Sequence, residues 1–576
     1  MDVAVKRIPY GISDFTELVD QNMYYVDKTK YIPLLEDQPN YLFLIRPRRF
    51  GKSLFLTMLR AYYDLSQKDK FAERFKGLYI GEHPTSLQGR YQVLYFDFSR
   101  AGGSYEKLEE NFDAYCSVEL DAFMRTYACF YSQEFVQKYL QTTSSSSKLN
   151  LLNSEAKRLG YPLYLIIDEY DNFTNIVLNE QGNDAYHAMT HASGFYREVF
   201  KKYKGMFERI FMMGVSPVTL DDLTSGFNIG WSISTDYKFN MMLGFSETDV
   251  REMYQYYKEN GRLQGDIDAM ITEMKPWYNN YCFAKESLKR DPRMFNSDMV
   301  LYYLRHRMEL NESPEEMIDP NTRTDYAKMK KLIRFDKLDG DRKGVIRSIA
   351  ENGHILVKLI TSFPASEITK AETFPSLLFY YGMLTISDTR GSLLVLSIPN
   401  NNVRKQYYGY LLEEYQAQEN QRINLTDLEL KFYDMSYNGD WQSTLKFIAD
   451  AYKENSSVRS SIEGERNLQG FFTAYLSINS YYLIAPEVEL NHGFCDLFLM
   501  PALQHYPDVK HSFIIEMKYL PSHDFKAKSE VQWQEAVEQI HRYGQGARVR
   551  QMVQGTQLHL IIMQFNGWEL ARMEEV

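Results

Sequence analysis

Residues 44–54, Leu-Ile-Arg-Pro-Arg-Arg-Phe-Gly-Lys-Ser-Leu, constrain this chain more than any other stretch. They end in Gly51-Lys52-Ser53, the close of a phosphate-binding loop, yet the pattern G-x-x-x-x-G-K-[ST] asks for glycine where Arg46 stands. Context decides between a nucleotide site and a basic turn. The apolar run Tyr41–Ile45 has strand length, and Leu54, Phe55, Met58, Leu59 and Tyr62 recur at helical spacing. Strand, loop and helix therefore come in the order a phosphate loop needs. Backbone N–H groups from Arg48, Arg49, Phe50, Gly51 and Leu54, with the positive end of the helix, would cradle phosphates. Lys52 would reach the β- and γ-phosphates, and the Ser53 hydroxyl would hold Mg²⁺. Arg46 cannot take a positive φ cheaply and Pro47 offers no N–H, so the cradle must come from the later residues, with Arg48 and Arg49 adding charge.

A second element supports the first. Leu163-Tyr-Leu-Ile-Ile-Asp-Glu169 reads as an apolar strand ending in two carboxylates. Asp168 would hold Mg²⁺ through water and Glu169 would polarise the attacking water. A third strand, Arg209–Ser216, ends in a small polar residue. Ser216, with Thr219 behind it, is a turn residue before Pro217 or, as its likeness to AAA-type ATPases implies, a γ-phosphate sensor. Val93–Phe98 supplies a fourth strand, and strands alternating with helical stretches imply a parallel sheet covered on both faces.

The blocks IPYGISDF, YYVDKTKYI and RPRRFGKSLFLTMLRAYYD together resemble the AAA-ATPase-like family, as do GVSPVTLDDLTSGFNI and WYNNYCF further on. That family carries RPRRFGKS as its own variant loop, so the resemblance makes Arg46 a family feature and implies ATP as the nucleotide. It also brings Asp27 and Lys28 near the pocket, although a capped surface turn before a helix at 29–35 accounts for them equally well.

The middle of the chain is less informative. TTSSSSK (142–148) is expected to be a surface loop, and 276–400 to be mostly helical, with a helix and strand pair across LLFYYGMLTI and GSLLVLSIPN. The mixed-charge stretch 329–344 reads as a solvated helix face. By resemblance this region is a small helical or winged-helix-like lid.

The C-terminal third carries a second chemistry. Cys495–Met500 and HSFIIEMKYL read as two strands joined through a proline-containing loop. Glu516 and Lys518 point to one face, and Asp496 opens the partner strand. Two carboxylates suit a hard cation such as Mg²⁺, and a lysine can orient water or steady charge on a phosphate. Asp508 in the literal Pro507-Asp508 pair lies between the strands and is the poorer candidate; Glu487 and Glu489 are further acidic candidates. On the following helical stretch Gln539 and Tyr543 lie one turn apart. Upstream, Glu465 begins an amphipathic helix, either as a further acidic ligand or as a first-turn carboxylate favoured by the helix dipole. Together these residues resemble the PD-(D/E)XK nuclease constellation with its Q-x-x-x-Y element. The usual G-R-x-D has become Gly493-Phe494-Cys495-Asp496, which puts a substrate contact at 494 in doubt.

The fold class expected is α/β. A P-loop NTPase parallel sheet spans 1–275, a helical or winged-helix-like region 276–435, and an α/β restriction-endonuclease-like domain 436–576. Four scattered cysteines argue against a disulfide framework or zinc site, and no apolar run spans a membrane, so a cytoplasmic location is expected. The net charge of −11 excludes a bulk nucleic-acid coat and confines any nucleic-acid surface to a patch. ATP and Mg²⁺ are the expected cofactors, with nucleic acid as partner of the C-terminal domain and self-association left open. The competing reading is a nucleotide-dependent switch or scaffold whose nuclease-like domain binds without cutting.

Overall fold

The computed structural model describes the chain except for residues 1–3, 102–104, 172–194, 218–229, 291–292, 323–341, 362–369, 371, 419–423, 455–463 and 491–492. Thr219 and most of the 329–344 stretch lie outside the described residues. So do the side chains of Glu487 and Glu489. The chain divides into two compact units, one of residues 1–345 with 354–401 and one of residues 346–353 with 402–576.

The first unit is built on a parallel sheet of β1 (Tyr41–Ile45), β2 (Gln92–Asp97), β3 (Leu163–Asp168), β4 (Arg209–Gly214) and β5 (Trp231–Ser232), ordered β2-β3-β4-β1-β5. The four longer strands are almost wholly buried, which is why their sequences read as continuous apolar runs rather than alternating ones. The helix Lys52–Tyr63 follows β1 directly and buries Phe55, Leu56, Met58, Leu59 and Tyr62. A small antiparallel sheet of β6 (His354–Val357), β7 (Thr385–Arg390) and β8 (Leu393–Ser397), ordered β6-β8-β7, adjoins the helix Phe374–Tyr380. The helix and strand pair match the sequence pattern; β6 is an addition to it.

The serine-rich segment corrects the sequence reading. Ser145–Leu159 is a helix, not a loop. The Ser145 N–H and hydroxyl both donate to Asp113, and Lys148 is buried against Asp121 at 2.6 Å and Ser117 at 2.8 Å. Serine favours caps and turns when left to itself, and here tertiary partners outweigh that preference.

The second unit carries a mixed sheet of β9 (Tyr482–Leu490), β10 (Gly493–Pro501), β11 (His511–Leu520), β12 (Gln557–Asn566) and β13 (Glu569–Glu575). Its order is β13-β12-β11-β10-β9, with only β11 and β12 parallel. Two parallel neighbours need a crossover. The helix Ser522–Gly544 supplies it, packing Trp533, Ala536, Ile540 and Tyr543 against Phe498, Ile514 and Ile562. The architecture is α/β at both ends of the chain.

Candidate functional site

In the loop between β1 and the helix Lys52–Tyr63 the chain turns after Arg46, not at it. Positive φ occurs at Arg49 (65°) and Gly51 (87°), and Gly51 caps the helix Lys52–Tyr63. Arg46 is spared that role and does something else. Its guanidinium is buried, donates to the carbonyls of Ile45 (2.9 Å), Ser234 (2.6 Å) and Phe239 (3.0 Å), and lies 4.2 Å from the centre of the Phe283 ring. Arg49 is likewise engaged, with Asp298 at 2.8 Å and the Asn321 carbonyl at 2.7 Å, so much of its charge is already answered.

Residues 48–54 line a cavity of about 520 Å³ together with Asp168 and Glu169. Lys52 is 5% exposed, donates to the carbonyls of Arg46 (3.3 Å) and Pro47 (3.1 Å), and lies 3.7 Å from Glu169. Although β4 separates β1 from β3 in the sheet, loop and carboxylates meet at its edge. Asp168 accepts from the Ser53 hydroxyl and from Tyr95 at 3.3 Å. Burial, helped by the charge of Glu169, pushes Asp168 up to about 6 against the pull of Ser53 and Lys52. Glu169 holds a φ of 50°, an unusual conformation for a residue with a side chain. These groups fit a Mg²⁺-nucleotide: a cation for phosphate, a hydroxyl beside a desolvated carboxylate for the metal, and N–H groups at a helix start. Tyr24, Tyr25, Met242, Leu243 and Phe245 line the same cavity and offer an apolar surface for a base.

The remaining candidates divide, and one residue went unnoticed in the sequence. Ser216 is fully buried, hydrogen-bonded to Tyr381, and outside the cavity lining. Lys28 lines the cavity and pairs with Asp249 at 2.7 Å, while Asp27 accepts from Thr29 and from the Tyr79 N–H at 2.7 Å. Asp171, unremarked in the sequence, accepts from the N–H groups of Val215 (3.1 Å) and Ser216 (2.5 Å) and so ties the end of β3 to the end of β4.

In the second unit the expected residues converge. Asp496 accepts from the Met517 N–H at 2.6 Å, which fixes it beside Glu516, and Lys518 pairs with Glu516 at 2.7 Å. Lys518 also reaches Gln539 at 3.4 Å; Gln539 donates to Tyr543 at 2.6 Å, and Tyr543 donates to the Phe494 carbonyl at 2.8 Å. Glu516 is 0% exposed, and its Oε2 has no hydrogen-bond partner. Burial pushes Asp496 well above the usual carboxylate range and raises Glu516 as well, with Lys518 opposing both. Lys518 itself rises, because the two carboxylates outweigh the burial that works against its charge. Glu465 occupies the first turn of the helix Glu465–Leu476, and its charge acts on all three groups. One turn along, Gln469 donates to Asp496 at 2.6 Å, a contact that only its spacing from Glu465 could have suggested. Asp508 is exposed in the loop between β10 and β11.

The orphaned Glu516 oxygen beside Asp496 fits a hard divalent cation. Among the described residues no three acidic, histidine or cysteine side chains converge for metal binding, so water and substrate oxygens would complete the shell, as Mg²⁺ tolerates.

Residues 9–224 match the family described as predicted AAA-ATPase, and residues 463–575 match the PD-(D/E)XK nuclease superfamily. The chain joins an AAA-ATPase-like domain to a PD-(D/E)XK-superfamily domain. An uncharacterized protein from the vnfD 5′ region of Azotobacter chroococcum mcd 1 is 26% identical over 286 residues, covering 49% of this chain and 50% of that protein. The chain thus spans about half the length of the curated relative it matches. Among solved structures there is a faint likeness to Cdc6p of Pyrobaculum aerophilum (10% identity, TM-score 0.26, 72% of this chain and 97% of that one). ORC2 of Aeropyrum pernix is similar at 12% identity, with a TM-score of 0.31, over 68% of this chain and 92% of that one. Among the described residues of the two-domain chain, no helix is long and apolar enough to cross a membrane.

Proposed function

We propose that the chain binds and hydrolyses ATP at the AAA-ATPase-like domain and cleaves phosphodiester bonds at the PD-(D/E)XK domain. The observation that carries the second half is Glu516: a fully buried carboxylate with one oxygen paired to Lys518 and the other unanswered. A buried polar atom left unpaired costs about 1–3 kcal/mol, which a bound ligand would recover. Asp496 and Glu516 would hold Mg²⁺, which when bound polarises a phosphate and lowers the pKa of its water. Lys518 stands within reach of the same point to orient water or to steady charge on a phosphate oxygen. Gln539, held by Tyr543, would help keep Lys518 in place. In the AAA-ATPase-like domain Lys52 would neutralise the β- and γ-phosphates, and Glu169, 3.7 Å from it, would exchange that contact for the attacking water.

The test is cleavage of labelled single- and double-stranded DNA and RNA with Mg²⁺ or Mn²⁺, with and without ATP, in the wild type and in Lys518→Ala. Cleavage that disappears in Lys518→Ala supports the nuclease. If ATP binds, with an affinity that Lys52→Ala abolishes, but no substrate is cut, the chain is a nucleotide-dependent switch. Phe494 in place of arginine is the feature favouring that second reading.

A further inference from the structure

We propose that Phe494 is a stacking platform that selects unpaired bases next to the scissile phosphate, so that the preferred substrate is single-stranded or frayed nucleic acid. The proposal rests on the nuclease reading and adds the substrate class to it.

Phe494 is 58% exposed on β10, two residues before Asp496. The pairing of β10 with β9 keeps one register on both sides of Asp496 (Cys495 with Val488, Leu497 with Pro486). Strand alternation then gives Phe494 and Asp496 the same face, within about 7 Å of each other along the strand. A single exposed apolar ring is ordinary on a protein surface. This one is unusual in being clamped. Its carbonyl accepts from Tyr543, and a Cβ at Gly493 would come within 2.7 Å of the same tyrosine ring. Gly493 therefore lets the strand lie against Tyr543, and Tyr543 belongs to the hydrogen-bonded chain that ends at Lys518 and Glu516. The ring's backbone is held by the same residues that hold the catalytic lysine.

A phenyl ring cannot answer phosphate charge, but it can take the face of a base. Bases inside a duplex are already stacked and offer no free face; unpaired or extruded ones do. The chain carries a net charge of −11, so sequence-independent affinity for phosphates is modest. Stacking supplies what charge does not, and a base on Phe494 would leave its neighbouring phosphate near Asp496.

The experiment uses the full chain carrying Lys518→Ala, so that substrate is not consumed. It binds single-stranded DNA and RNA oligonucleotides containing 2-aminopurine, and the matching duplexes, with Ca²⁺ in place of Mg²⁺. Phe494→Ala and Phe494→Trp are added to that background. Quenching of 2-aminopurine on the single strands, lost in Phe494→Ala with about 5- to 100-fold weaker binding and restored in Phe494→Trp, is the expected result. Duplex binding should be unchanged by either substitution. Equal affinity of Phe494→Ala and its parent for single strands would overturn the proposal. So would an equal loss on single strands and duplexes that tryptophan does not rescue, since that marks a structural role. The DNA and RNA arms show which sugar is accepted. If the wild type cuts nothing, the nuclease reading fails, and the quenching still decides whether Phe494 stacks bases.

Discussion

At the scale of single residues, Arg46 shows how a departure from a pattern can be structural. Glycine at this position would open a phosphate loop; arginine here closes the protein underneath it. Burial pushes the guanidinium down to about 9, and three carbonyls and the Phe283 face answer it. Arg46→Gly, which restores the common pattern, should therefore destabilise the protein by about 3 kcal/mol or more, since charged buried hydrogen bonds are worth roughly 1.5–3 kcal/mol each. Arg46→Lys should not rescue it, because an ammonium cannot reproduce the planar fork. Urea unfolding of both variants measures this, and a Gly variant as stable as the wild type would refute the role assigned to Arg46. Asp168 carries a different prediction. Its pKa is raised to about 6 in the folded chain, so below that pH the fold favours the neutral acid and ionisation costs stability. That contribution is fully present below the unfolded value near 3.8 and is lost as pH rises through about 6. Melting temperatures from pH 4 to 7 should fall less steeply in Asp168→Asn, and Mg²⁺-ATP should protect the wild type most above pH 6. An unchanged slope in Asp168→Asn would count against the buried carboxylate as the source. Lys52, Ser53, Asp168, Glu516 and Lys518 were legible because each sits in a short, spaced motif. Asp171 and Gln469 were not, because the partners that give them meaning come from distant segments, Val215 and Asp496; for Lys28 the resemblance gave the place but not the distant partner, Asp249.

At the scale of elements, apolar runs and helical periods were readable wherever burial is one-sided or complete. The failures have one cause, tertiary contact overriding local preference, as in Ser145–Leu159 with its Asp113 and Asp121 partners. The second unit contains another such joint. At the start of β11 and β12, His511 lies 2.9 Å from His559, which bonds Glu575 on β13 at 2.7 Å; Trp441 donates to the same carboxylate at 3.2 Å. Gly439, between the helices Leu425–Asn438 and Trp441–Glu454, packs against the His511 ring. Burial, and the charges of His559 and Lys510, push His511 down, while Glu575 opposes them. A histidine whose folded pKa is depressed stays neutral in the fold and takes a proton on unfolding. Its stabilisation is complete above the unfolded value near 6.5 and is lost as pH falls below it. The second unit should therefore lose stability between pH 7 and 5, and His511→Gln should flatten that dependence. Denaturant midpoints at pH 5, 6 and 7 decide it; parallel losses in both proteins would place the sensitivity elsewhere.

At the scale of the whole molecule, two compact units each carry one candidate site, and each site is assembled within its own unit. The order of the two domains was legible because their motifs are far apart and chemically unlike: a Gly-Lys-Ser loop with an Asp-Glu strand, then Asp and Glu-x-Lys. The grouping of residues 354–401 with the AAA-ATPase-like domain was not legible, because β6 and β8 pair across about 40 residues of sequence whose pattern gives no sign of it. This division predicts how ligands act on stability. A ligand that binds only the folded form stabilises by mass action, about 2.7 kcal/mol at a hundredfold excess over Kd. Mg²⁺-ATP should thus slow hydrogen exchange across β1, β3 and the helix Lys52–Tyr63, and Lys52→Ala should abolish the effect. The metal alone, at concentrations that fill the Asp496–Glu516 site, should slow exchange in β10 and β11 instead. If ATP, added at a fixed free Mg²⁺ concentration, protects β10 and β11 as strongly as β1, the two units unfold as one body. The reciprocal measurement then follows by linkage: the metal must tighten ATP binding by the same factor by which ATP tightens the metal.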